Sequence, residues 1–405
     1  MSILPAELIE DILEHVYGEY RSPEAPSDLY RCALVSHTWR AISQSLIFSE
    51  LLLCAAHEER VKTLLVAQSC HFRQYVRKAW IKDDGGSDSI KEFLNWLPNI
   101  QGLYVLCCGP ISKSFEHPSS EAISILRNLT SLGLSTLTSF PVELFYHCCS
   151  LRELKINGST FDVDTADQER FSTHSSISSL HSLHVAGVLS DMRILEWMLT
   201  PQCPFELTAL KTLRVSDRSD ELQPYEWIQK IVRSCGPTLR DLMIDPPTSL
   251  VLQDPELTPE SLLYPSTLSN LRVITISIWQ EINNYTNYVP WMNAFVSSLP
   301  VPNRLEEIRI PTVFMFSRPD GNDAQIEADM SVYGWEALDT VLTLDHVKLK
   351  KVVFGVYGLD RPRGQILRSL LREKLPQLDG SGILEIVGSR AYGWMSTEEC
   401  WWRVK

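Results

Sequence analysis

The sequence predicts an α/β chain in which a short N-terminal helical module precedes a long, irregular array of strand–helix repeats sharing a parallel sheet. Three observations predict it. A phrase of the form apolar-x-x-apolar-x-apolar returns through most of the 405 residues. Segments with helical spacing and helix-start signals fall between its copies. The first fifty residues read instead as three short helices.

The phrase appears as Ile100, Leu103, Val105, then as Leu129, Leu132, Leu134, and as Leu151, Leu154, Ile156. It continues as Leu180, Leu183, Val185; Leu210, Leu213, Val215; and Leu239, Leu242, Ile244. Leu271, Ile274, Ile276; Leu305, Ile308, Ile310; and Leu349, Val352, Phe354 follow. Weaker copies open the series at Val76, Ala79, Ile81 and close it near Ile383–Ile386. From Ile100 onward the first positions are 29, 22, 29, 30, 29, 32, 34 and 44 residues apart. The last two apolar positions lie two apart, as on one face of a short strand. Between copies, Pro141–Phe145, Ser190–Leu199, Pro224–Val232 and Pro290–Val296 carry helical spacing, three of them with proline at the start. One strand–helix unit cannot bury its own apolar face, so consecutive units must stack.

Over roughly residues 76 to 390 the phrase and its period resemble the leucine-rich repeat family, which implies a solenoid with its helices outside the strand sheet. The family's asparagine, three positions after the last strand anchor, is missing: Ser159, Val188 and Arg218 stand there. That predicts no asparagine ladder and an irregular array. A doubly wound sheet would instead show Gly-rich strand–helix turns, and these are absent.

In the N-terminal stretch, Leu4-Pro5-Ala6-Glu7-Leu8-Ile9-Glu10-Asp11-Ile12-Leu13 places proline at a helix start and acids in the first turns. Leu8, Ile12 and Val16 form one stripe, with Ile9 and Leu13 beside it. Asp28 is expected to cap a second helix through Leu34, and Ser36 a third carrying Trp39, Ile42 and Leu46. Three helices in fifty residues hold little core, a deficit that a partner's helices would relieve. Leu4-Pro5-x-Glu7-Leu8-x-x-x-Ile12-Leu13, then Cys32-Ala33-Leu34-Val35-Ser36-x-x-Trp39-Arg40 and Ile47-Phe48, resemble the F-box. Paired with leucine-rich repeats, this is similar to proteins of basidiomycete fungi. The segment from Tyr17 to Ser27 is longer than that family's first turn. The resemblance implies docking on a Skp-type adaptor, and through it a cullin, by Leu4, Pro5, Leu8, Ile12, Leu34, Val35 and Trp39. The expected organisation is therefore 1–50 docking module, 51–75 connecting helix (Glu58, Glu59, Val61, Leu64 and Leu65) and 76–405 repeat array with a C-terminal cap.

Composition excludes several classes. A net charge of -13 disfavours nucleic acid and anionic membrane as partners. No run reaches the ~18 apolar residues of a membrane span. Met1–Glu7 lacks a basic and an apolar region and is not read as a secretory signal, so the expected location is cytoplasmic or nuclear. Ten cysteines without a C-x-x-C give neither a zinc site nor a disulfide framework. Phosphate-loop, dinucleotide, hydrolase-elbow and metalloprotease motifs are missing, so no enzyme, metal or cofactor is expected. His147 beside Cys148 and Cys149 suggests a nucleophile, yet these end a predicted helix where small apolar residues pack.

Positions between the strand anchors are often basic, among them Arg214, Arg240, Arg272 and Arg309. They are the expected face for a target protein, one with an acidic or phosphorylated segment. Ser317–Ser331 reads as an acidic loop, and Trp394, Trp401 and Trp402 as a cap for the last repeat. The expected function is recruitment of a target to a Skp–cullin–F-box ubiquitin ligase. Its rival is a repeat scaffold whose first helices merely cap the array.

Overall fold

The computed structural model describes residues 5, 7–9, 12–13, 26–54, 63, 71–83, 95–107, 120–163, 178–187, 193–216, 223–246, 259–281, 288–315, 334–343, 348–357 and 361–389. They belong to two compact units, Met1–Ser178 with Glu399–Lys405, and Ser179–Glu398.

The first unit begins with helix. Residues 7–9 and 12–13 are helical, and the Ile9 N–H donates to the Pro5 carbonyl at 3.2 Å. Helices α1 (Pro26–Cys32) and α2 (His37–Ile47) follow. Ser36 caps α2 as expected, its hydroxyl accepting the Trp39 N–H at 3.3 Å. Asp28 lies inside α1 rather than ahead of it, because α1 starts two residues earlier, at Pro26, whose fixed φ suits a first helical position. Ile9, Leu13 and Leu29 are buried together, and Cys32, Trp39, Ile42, Leu46 and Ile47 pack around them.

Five parallel strands come next: β1 (Glu50–Cys54), β2 (Lys78–Asp83), β3 (Gly102–Cys107), β4 (Ser131–Ser135) and β5 (Glu153–Asn157). They pair in chain order. Register brings the anchors into two rows, Leu51, Ala79, Leu103, Leu132, Leu154 and Leu53, Ile81, Val105, Leu134, Ile156. Except for half-buried Leu51, every residue in these rows is buried. The array therefore opens one repeat earlier than the sequence reading placed it. Phe48-x-x-Leu51-x-Leu53 is a further copy of the phrase, and Leu51–Cys54 are strand where a connecting helix was expected. Glu58, Glu59, Val61, Leu64 and Leu65 lie outside the described residues.

The second unit carries β6 (Ser182–Ala186), β7 (Thr212–Ser216), β8 (Asp241–Ile244), β9 (Val273–Ile276), β10 (Ile278–Glu281), β11 (Glu307–Met315), β12 (Lys351–Tyr357) and β13 (Leu384–Ser389). All pair in parallel, β9 with the first half of the long β11 and β10 with its second half. Leu183, Leu213, Leu242, Ile274, Ile308, Val352 and Leu384 form one row; buried Leu180, Leu210, Leu239, Leu271 and Leu305 precede it as the first anchors. At the last strand, Leu384 and Ile386 are only half-buried. The predicted helices are present. Val142–His147 is a 3-10 helix; Arg193–Met198, Gln223–Cys235 and Val289–Ser297 are α-helices. Their apolar faces supply the rest of the core, including Phe145, Trp197, Ile228, Ile231 and Phe295. The architecture is that of stacked strand–helix repeats.

Successive repeats are joined by main chain. The residue after most first anchors offers its carbonyl to two N–H groups of the next repeat. Ser49 accepts from Arg77 and Lys78 at 2.8 and 2.9 Å, Arg77 from Gln101 and Gly102 at 2.7 and 2.9 Å, and Gln101 and Thr130 repeat the pattern. In the second unit His181, Lys211, Arg240, Arg272 and Glu306 do the same. The missing asparagine is partly replaced: buried Ser159 accepts the Leu137 N–H of the preceding repeat at 3.1 Å and donates to the Asn157 carbonyl at 3.2 Å. Val188 and Arg218 are outside the described residues.

Candidate functional site

The N-terminal module exposes what its small core cannot hold. On the first helix Ile9 and Leu13 turn inward, whereas Leu8 and Ile12 remain 48% and 41% exposed. The turn after α1 leaves Leu34 at 79% and Val35 at 65%, and Tyr30, four residues before Leu34, at 53%. Pro5 is exposed as well. Five large apolar side chains are therefore exposed on this small module. Trp39 is different: it is partly buried and packs against the buried trio. Leu4 lies outside the described residues. Tyr30 was missed by sequence reasoning, because a lone tyrosine on a short helix carries no periodic signal.

On the strand face of the first unit, opposite the buried anchors, Trp80 stacks on Tyr104 with ring centroids 5.2 Å apart and 12° between planes. Leu52, one strand away, is 45% exposed. Tyr104, Ser131 and Glu153 form a chain across three strands. The Tyr104 and Ser131 hydroxyls are 2.7 Å apart, and the Ser131 hydroxyl donates to Glu153 Oε2 at 2.7 Å. Lys155 Nζ lies 3.0 Å from Glu153 Oε1 and 5.6 Å from the Tyr104 ring centroid. Burial, with the Glu153 charge beside it, pushes the Tyr104 hydroxyl up to about 12. Burial alone would raise the Glu153 carboxyl too, but Lys155, the Ser131 hydroxyl and Lys78 outweigh it and hold the carboxyl below its ordinary value.

In the second unit the four arginines singled out by sequence divide into two rows. Arg214 and Arg309 stand mid-strand. Arg214 Nη2 is 3.3 Å from Asp241 Oδ2, and Arg309 makes two bonds to Glu307, at 2.9 and 3.2 Å. The Glu307 bond, ahead of the opposing effect of burial, raises the Arg309 guanidinium further. Arg240 and Arg272 stand instead in the shared-carbonyl row, exposed to solvent. Arg272 reaches Glu306 at 4.0 Å, and Lys350 holds the same carboxylate at 2.8 Å. The lysine bond, first among the causes, lowers the exposed Glu306 carboxyl. The strand face of this unit is thus less basic than the sequence implied, because acids at Asp241, Glu306 and Glu307 stand beside its bases.

Catalytic geometry does not assemble around His147. Cys148 is buried, its thiol donates to the Leu144 carbonyl at 3.5 Å, and burial pushes it up to about 12, so the thiolate is not formed near neutral pH. Burial likewise lowers His147. Among the described residues no group of three or more histidine, cysteine or acidic side chains is placed to hold a metal ion, and no helix is long and apolar enough to cross a membrane.

No family model matches the chain, and no curated protein matches it. Several solved structures are similar to parts of it, two of them as follows. One is the leucine-rich repeat ectodomain of the plant membrane receptor kinase GASSHO1/SCHENGEN3 from Arabidopsis thaliana, in complex with CASPARIAN STRIP INTEGRITY FACTOR 2. It is 10% identical over 77% of this chain, with a TM-score of 0.23. The other is the mouse RP105/MD-1 complex, 10% identical over 78% of this chain, with a TM-score of 0.27. The matches span 29% and 55% of those two proteins. Superpositions this loose carry no weight for this chain, and the repeat architecture rests on the strand register.

Proposed function

We propose that the protein is a non-enzymatic adaptor. Its N-terminal module docks on a Skp-type adaptor of a cullin ubiquitin ligase, and its repeats hold a target protein. The observation that carries this reading is the exposure of Leu8, Ile12, Tyr30, Leu34 and Val35 on a module whose fully buried apolar core, among the described residues, is Ile9, Leu13 and Leu29. A module with so little core gains stability when a partner's helices cover those side chains. Function is then proximity: the repeats hold the target beside the transfer machinery, and no catalytic side chain is required.

The test is co-purification of the full chain with a Skp-type adaptor. Wild type is expected to retain it, and Leu34→Glu with Val35→Glu to lose it at least tenfold, with the chain still folded by circular dichroism. Trp39 is a poor choice for this test, since its removal would damage the module's core. The rival reading, that the helices only cap the array, draws support from Phe48, which leads α2 directly into the first repeat, and from the Ser49 carbonyl, which starts the main-chain joint to the second. Failure of wild type to retain any Skp-type adaptor decides for that rival.

A further inference from the structure

We propose that Lys211, Arg240 and Arg272 form a binding site for an acidic or phosphorylated extended segment of a protein partner. These are consecutive members of the shared-carbonyl row. The Arg240 N–H donates to the Lys211 carbonyl at 2.8 Å, and the Arg272 N–H to the Arg240 carbonyl at 2.8 Å. The three cationic side chains therefore start from backbone positions about one strand spacing, ~4.8 Å, apart. Like charges directly opposite on neighbouring strands are destabilising. A chain with 50 acidic and 37 basic residues has acids to spare for breaking such a row.

The neighbouring rows show where those acids are placed. Asp241 faces Arg214, and Glu307 faces Arg309, so the mid-strand bases are paired within the face. Lys211 and Arg240 form no ion pair among the described residues. Arg272 shares Glu306 at 4.0 Å with Lys350, which holds that carboxylate closer. All three side chains of the row are at exposed positions. Neighbours one strand apart suit a phosphoryl group held between two side chains, or carboxylates on alternate residues of an extended segment. A nucleic acid fits worse: three adjacent cations on a chain of net charge -13 do not form the long basic track that a phosphate backbone requires.

This specifies the target class within the adaptor reading, but its test does not involve the adaptor. The experiment measures fluorescence anisotropy of the full-length protein with one labelled, otherwise neutral peptide in three forms: central serine, central phosphoserine, and three alternate glutamates. Binding of the phosphoserine form, the glutamate form or both, with neither matched by the serine form, is the expected result. Which form binds tells the two anion sources apart. Arg240→Glu places an acid between two bases. It should weaken binding at least tenfold while its melting temperature equals or exceeds that of wild type. Arg240→Gln provides a second variant, with a smaller loss. Arg77→Glu with Arg152→Glu, in the corresponding row of the first unit, should leave affinity unchanged. The proposal is overturned if no anionic peptide binds, if both Arg240 variants keep wild-type affinity, if the first-unit variant loses as much, or if oligothymidylate binds tighter than either peptide.

Discussion

Asp339 caps the helix that contains Leu378, 39 residues along the chain. Its two carboxylate oxygens accept the main-chain N–H groups of Gln377 and Leu378, each at 2.9 Å. The helix Pro376–Gly380 is only five residues long, too short to stand without help, and Leu375 ahead of it offers no side-chain cap. Asp339 itself is buried within helix Trp335–Thr343. Asp339→Ala leaves the buried Leu378 N–H and the part-buried Gln377 N–H without partners and should cost about 1–3 kcal/mol of unfolding free energy. Urea unfolding measures it, and Asp339→Asn, which keeps one acceptor, should lose less.

Two glycines should respond in opposite directions to alanine. At Gly236, just after Gln223–Cys235, a Cβ would lie 2.6 Å from Thr267 Oγ1 and 3.0 Å from the Val232 carbonyl oxygen. Thr267 cannot easily yield, because its hydroxyl donates to the Tyr264 carbonyl at 2.8 Å. Gly236→Ala is expected to destabilise by about 1–3 kcal/mol. Gly364, in helix Arg361–Lys374, has nothing within 4 Å of the added Cβ. Gly364→Ala should stabilise by up to about 1 kcal/mol, through helix propensity alone. Parallel thermal melts of the two variants check the pair.

Glu153 should make stability depend on pH. Its folded carboxyl is held below the ordinary value near 4.5, so its contribution is present above that value and declines as pH falls through the depressed one. Glu153→Gln removes the contribution. The stability gap between wild type and variant should therefore be full at neutral pH and narrow below about 4.5. A gap that stays constant down to strongly acid pH would contradict the depressed carboxyl.

Thiol chemistry should separate native from unfolded protein. Cys148 and Cys235 are buried, with thiols pushed up to about 12. Iodoacetamide at mildly alkaline pH should leave both unmodified in the native state and label both in denaturant. Peptide mapping by mass spectrometry reads this out, and native labelling of Cys148 at the rate of a free thiol would revive a nucleophilic role for it.

The repeat anchors were legible in the sequence because burial on a strand is a local, periodic matter: Leu183 and Val185 announce their strand without reference to anything distant. Phe48, Leu51 and Leu53 were misassigned for the same reason, since an apolar pair at Ile47-Phe48 suits both the end of a helix and the start of a repeat. Charge pairing was illegible. The partner of Arg214 is Asp241, 27 residues on, and only the register of two strands brings them together. The outward turn of Leu8 and Ile12, against the inward turn of Ile9 and Leu13, likewise depends on where α1 and α2 pack. Ser317–Ser331 and the C-terminal tryptophans lie outside the described residues.

A joint built only from peptide groups is indifferent to the side chain that projects from it, proline at a donor position excepted. The same pair of N–H bonds closes the step from Thr130 to Arg152 and the much longer step from Glu306 to Lys350. Repeats of unequal length can therefore be spliced into the stack, and any letter of the recognition row exchanged singly, without loosening the neighbours on either side.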